Sequence, residues 1–208
     1  MKNNTKKRIG VFLALFFTPA LLFANIGLPM IFISYPLMLA AFLPVVFVES
    51  FVISKFTKLP LKESIGPLFI ANLATTVVGF PISWGLLLGF ELLTTGGSCG
   101  PGFDNLALGI LTIILESAWL CPRGDVNYGE IIVPLALIVS FIVAFFLSVI
   151  VEKLILVKVI DGVEKKKLKR SVWIANSVSY LFLTVYVIIS SFYPGMLTVF
   201  WNFFQRFI

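Results

Sequence analysis

Glu49 and Asn72 are the residues best placed to do chemistry in this chain, because both lie inside apolar runs of membrane-spanning length. Glu152 and Asn176 repeat the pair. The spacing from glutamate to asparagine is 23 residues in the first case and 24 in the second. A carboxyl group or an amide is costly to bury in hydrocarbon, so each marks a site or a packing contact. Two chemistries fit. One is an interhelical hydrogen bond, a clamp that fixes register; such bonds average ~0.6 kcal/mol in a membrane protein. The other is a polar path for a proton, ion or small solute, with Glu49 and Glu152 near a common axis. Other chemistries are poorly supplied. The chain has no histidine and two widely separated cysteines, which removes most metal sites and histidine-based catalysis. It carries no H-E-x-x-H, no G-x-S-x-G and no paired intramembrane aspartates. The expectation is a protein that is not an enzyme and needs no cofactor or metal.

The elements that must position these residues form an internal repeat. Val48-Glu49 recurs as Val151-Glu152, Lys55 as Lys158, and Ile70-Ala71-Asn72 as Ile174-Ala175-Asn176. Thr75 stands opposite Ser179 and Thr76 opposite Tyr180, while Gly79 faces Leu183. Each copy reads as a descending span, a basic loop and an ascending span. That is a parallel repeat, with a pseudo-two-fold axis along the membrane normal. Glutamate and asparagine each lie about six residues from the loop, so both sit ~9 Å deep, at matching depth. Thr75 and Gly79 read as helix-packing positions and Pro81 as a kink.

Composition sets the class. Of the 208 residues 59% are hydrophobic and 12% charged, against ~25% charged in a soluble domain. The fold class is all-α, a polytopic membrane helical bundle. Residues 1–24 resemble a signal peptide, with Lys2, Lys6, Lys7 and Arg8 ahead of an apolar run and a small residue, Ala24, at the cut. Left uncleaved, they would be a fifth transmembrane helix. Residues 25–208 form one membrane domain: a first repeat over 29–93, an outer loop over 94–130, a second repeat over 131–193 and an interfacial aromatic tail over 194–208. The four spans run over about 29–56, 65–93, 131–157 and 172–192. The apolar piece Leu106–Leu120 is too short to cross comfortably and reads as re-entrant or interfacial.

Charge fixes the orientation. The loops that carry Lys55, Lys58 and Lys62, and then Lys153, Lys158, Lys165, Lys166, Lys167, Lys169 and Arg170, belong in the cytoplasm. Only Arg123 and Arg206 fall on the other side, with Glu91, Asp104, Glu116, Asp125 and Glu130. The net charge of +6 is thus a topology signal and not a nucleic-acid footprint. Cys99 and Cys121 bracket the short apolar piece in the outer loop, where a disulfide is expected. Arg123-Gly124-Asp125, just after it, reads as turn chemistry. The expected location is a bacterial inner membrane, multi-pass, with the cysteine loop and C-terminus outside.

The set Glu49, Asn72, Thr75, Thr76 and Gly79 resembles a pattern in small bacterial membrane proteins of the filament-integrity (Fra) type, over about thirty residues. The resemblance implies a small integral membrane protein without catalysis. The expected role is structural or in assembly, with Glu–Asn helix clamps. The alternative is a small transporter or channel using Glu49 and Glu152. Expected partners are the lipid bilayer and another membrane protein or a second copy of the chain.

Overall fold

A computed structural model describes residues 28–121 and 131–192. The signal peptide, the Arg123-Gly124-Asp125 turn and the aromatic tail read from the sequence lie outside the described residues. Four helices are long and apolar enough to cross a membrane: α1 (Ile31–Thr57), α2 (Leu61–Thr95), α4 (Val133–Val159) and α5 (Lys165–Phe192). A shorter helix, α3 (Leu106–Leu115), follows α2. Its ten residues span about 15 Å, half the hydrocarbon thickness. Two two-residue strands complete the elements. β1 (Leu28–Pro29) pairs antiparallel with β2 (Trp119–Leu120).

The helices form two hairpins. α1 turns into α2 through Lys58, whose left-handed backbone closes the helix with its N–H on Ser54 O. Ser54 Oγ then donates to Leu59 O at 2.7 Å, which tightens the turn. α4 turns into α5 across a loop whose Gly162 holds φ 76°, a conformation that disfavours a side chain. The hairpins pack with α1 against α5 and α2 against α4, so α1 and α4 occupy diagonal corners. The basic loops lie at one end of the bundle, and the Cys99–Cys121 loop lies at the other.

The bundle is apolar outside and polar at its centre. Leu43, Phe47, Ile70 and Leu181 point outward, each more than half exposed, whereas Glu49 and Asn176 are wholly buried. A chain whose solvent is hydrocarbon has this distribution, because apolar surface there carries no penalty and polar groups must find partners within the protein. Two apolar clusters fill the interior. One, with Met38, Phe80, Phe141 and Leu183, lies toward the disulfide end. The other, with Ile53, Leu68, Leu156 and Val172, lies toward the basic end. Glu49, Asn72, Glu152 and Asn176 form a polar layer between them.

Several elements differ from the sequence expectation. α2 contains a π-helical turn, Thr75–Gly79, in which Phe80 N–H reaches back to Thr75 O. It directly precedes Pro81, which has no N–H to return to the previous turn and whose ring crowds that turn's carbonyl. A widened turn relieves both problems. α5 begins at Lys165, ahead of the apolar run, so its first turns are the basic segment itself. The apolar piece Leu106–Leu120 is not one element: the helix stops at Leu115, and Trp119–Leu120 is extended against β1.

Candidate functional site

The polar layer is built from both hairpins. In the first, Asn72 Nδ2 donates to Glu49 Oε2 at 2.7 Å and to Leu68 O at 3.1 Å. In the second, Asn176 Nδ2 donates to Glu152 Oε2 at 2.7 Å and to Val172 O at 3.2 Å. The residue three places after each asparagine returns its hydroxyl to the asparagine carbonyl: Thr75 at 3.0 Å and Ser179 at 3.1 Å. Each glutamate thus bonds to the asparagine of its own hairpin.

The two contacts are not separate. Ser179 Oγ also donates to Glu49 Oε1 at 2.6 Å, which joins the hairpins. Thr75, the residue opposite Ser179 in the first copy, gives its hydroxyl to Asn72 O and stands with Glu152 on the wall of one cavity. Asn176 and Ser179, one turn apart on α5, thereby bring Glu152 and Glu49 side by side. Sequence reasoning did not foresee this crossing, although Thr75 and Ser179 already stood opposite one another in the aligned copies.

Among the described residues, three buried side-chain polar atoms have no hydrogen-bond partner: Glu152 Oε1, Asn176 Oδ1 and Ser50 Oγ. On the side of the layer toward the disulfide end lies a cavity whose volume, open to the centre of a water-sized sphere, is about 20 Å³. That is room for a single water. Its polar lining is Asn72, Thr75, Thr76, Ser148, Glu152 and Tyr180. Tyr180 Oη and Ser148 Oγ are bonded to each other at 2.9 Å. The positions of Thr76 and Tyr180, opposite in the two copies, are thus both wall positions of this space.

Gly79 is buried in the π turn, yet it is not where two helices touch. A Cβ built there would meet only Thr75 Cβ and Cγ2 of its own helix, at 3.6 and 4.0 Å. The close helix approach expected at Gly79 is therefore not what surrounds it. Thr75 is buried, and its hydroxyl donates to Asn72 O of its own helix.

A second polar arrangement closes the disulfide end. Cys99 and Cys121 are bonded, with Cα atoms 5.6 Å apart. Glu116, wholly buried, accepts from Gly100 N at 2.6 Å on Oε1 and from Cys121 N at 3.3 Å on Oε2. Its carboxyl group thus holds the backbone beside both cysteines. Glu91 Oε2 accepts from Trp119 N at 3.1 Å, and Trp84 Nε1 donates to Ala118 O at 3.0 Å. They tie β2 and the residue before it to the second half of α2. Sequence reading gave Glu91 and Glu116 only as charges on one side of the membrane.

Among the described residues no group of three or more metal-ligating side chains converges. No protein-family model, curated protein or solved structure matches this chain.

Proposed function

We propose that this is a non-catalytic integral membrane protein with a structural or assembly role, whose two hairpins are locked into one body by the polar layer. The observation that carries this reading is the hydrogen bond from Ser179 to Glu49 between hairpins. It works with the two Glu–Asn bonds to set register and rotation across the bundle. The matched bonds also support descent of the hairpins from one duplicated unit. The resemblance to Fra-type proteins on Glu49, Asn72, Thr75, Thr76 and Gly79 favours the same non-catalytic role.

In this reading the protein lies in a bacterial inner membrane with its basic loops in the cytoplasm. Helix α3 lies along the outer interface, with Leu106, Ile110, Leu111 and Ile114 toward lipid; all four are exposed, while Gly109 and Thr112 face the protein. A pull-down in mild detergent tests the role. A membrane-protein partner or a second copy should be recovered with the wild type and lost with Ser179→Ala. Thiol labelling after reduction tests the orientation, since Cys99 should react only from outside the cell.

One observation favours a second reading, a small transporter or channel using Glu49 and Glu152. The two carboxyl groups stand between the hairpins, and Glu152 lines a polar cavity there, as at the sites that transporters build between repeats. Flux of protons or small ions into proteoliposomes, abolished by Glu49→Gln with the fold retained, would select this reading over assembly.

A further inference from the structure

Glu49 and Glu152 come from diagonal helices and meet in the polar layer, one wholly buried and the other 1% exposed. An ionised carboxylate has acceptors only. Held side by side by Asn176 and Ser179, two such groups would face each other with no hydrogen between them, in surroundings that screen charge poorly. Their neighbours do not supply the missing donor. Glu49 already accepts from Asn72 on one oxygen and from Ser179 on the other. Glu152 accepts from Asn176 on Oε2, while Oε1 has no hydrogen-bond partner. The polar groups that bond to the pair or share the cavity with Glu152 are Asn72, Thr75 and Thr76 on α2, Ser148 on α4, and Asn176, Ser179 and Tyr180 on α5; none is basic.

We infer that Glu49 and Glu152 form a proton-binding site, an acid–carboxylate pair that holds one proton between them. Glu152 is the acid and donates to the carboxylate of Glu49. Glu49 is the better carboxylate because it already accepts two hydrogen bonds, which favour its charged form. The proton gives the contact a donor and gives the unpartnered half of Glu152 a role. Access is one-sided: Glu152 lines the cavity and Glu49 does not. A single water held there, among Thr75, Thr76, Ser148 and Tyr180, would exchange the proton at Glu152. The site does not depend on the assembly role, and it is a binding site whether or not the proton crosses the membrane.

Infrared difference spectroscopy on the purified full chain in detergent tests it. The wild type minus Glu152→Gln should contain the C=O stretch of a protonated carboxyl, and that band should shift in D2O. The same band should appear in the wild type minus Glu49→Gln, because a glutamine at either position supplies an N–H where the pair needs a donor and so releases the proton. Both variants should fold for the same reason. A difference spectrum showing only loss of carboxylate stretches would mean that both groups are ionised, and would overturn the site. Failure of both glutamine variants to fold would overturn it too. A band that does not shift in D2O would remove the exchange route while leaving the shared proton. Pull-down results do not bear on any of these outcomes.

Discussion

Ser179 donates a hydrogen bond of 2.6 Å to Glu49 across 130 residues of sequence, and it ties one hairpin to the other. Ser179→Ala leaves Glu49 Oε1 with no hydroxyl donor. Stripping one partner from a buried polar group costs about 1–3 kcal/mol. Loss of stability in that range is expected, read as a lower unfolding midpoint in mild detergent. Asn72→Ala should act similarly, and the double variant should lose less than the sum, because both changes fall on one carboxyl group. Strict additivity would mean the two bonds are independent.

The disulfide should matter most to the end it closes. Cys99 and Cys121 are 22 residues apart, and by chain entropy a loop of that size gains roughly 3 kcal/mol from closure. Reduction should therefore open the Cys99–Cys121 loop to protease before the bundle melts. If reduction left protease resistance unchanged, β1–β2 pairing and Glu91 would be sufficient to hold that end.

Glu116 should decide how readily the disulfide forms. Its two oxygens hold the backbone beside each cysteine. Glu116→Ala should leave a measurable fraction of free thiol after expression, counted by alkylation and a gel shift. Gly100→Ala should have a related effect, because an added Cβ would come within 3.2 Å of Thr112 Cα and 3.1 Å of Glu116 Oε1. Full oxidation in both variants would show that the cysteines find each other without this carboxyl group.

Gly79→Ala should be tolerated. The methyl would meet only ordinary contacts within α2, and alanine is favoured over glycine inside a helix by roughly 0.5–1 kcal/mol. The unfolding midpoint should stay level or rise slightly. A clear fall would indicate that the π turn depends on glycine, or that another chain packs against this position.

The sequence was legible where a physical cost is large and local. Burying Glu49, Asn72, Glu152 and Asn176 demands partners, and their spacing named the partners. The apolar runs located all four long helices within a few residues, except at Lys165, where basic residues continue the helix beyond the lipid-length segment. The crossing was harder to read. Spacing along the chain says which residues share a depth, but not which helices are neighbours, so the Ser179 bond and the contact between the glutamates depended on packing. The π turn depends on a backbone relation between Pro81 and the turn before it, which hydropathy does not report. Glu116 looked like a surface charge because its partners are backbone N–H groups, which carry no sequence signature.

The Glu49–Asn72 bond has a consequence for biogenesis. The chain is made in order, and Glu49 enters the membrane long before Ser179 or Glu152 exists. Asn72 follows only 23 residues later, on the next helix. It can hold the glutamate as soon as the first hairpin closes. The first hairpin therefore inserts with its costliest side chain already sheltered, and the second brings Asn176 as the same shelter for Glu152. Each asparagine is the first host in its own half and keeps its bond in the finished network, which arises when two halves that were each safe alone come together.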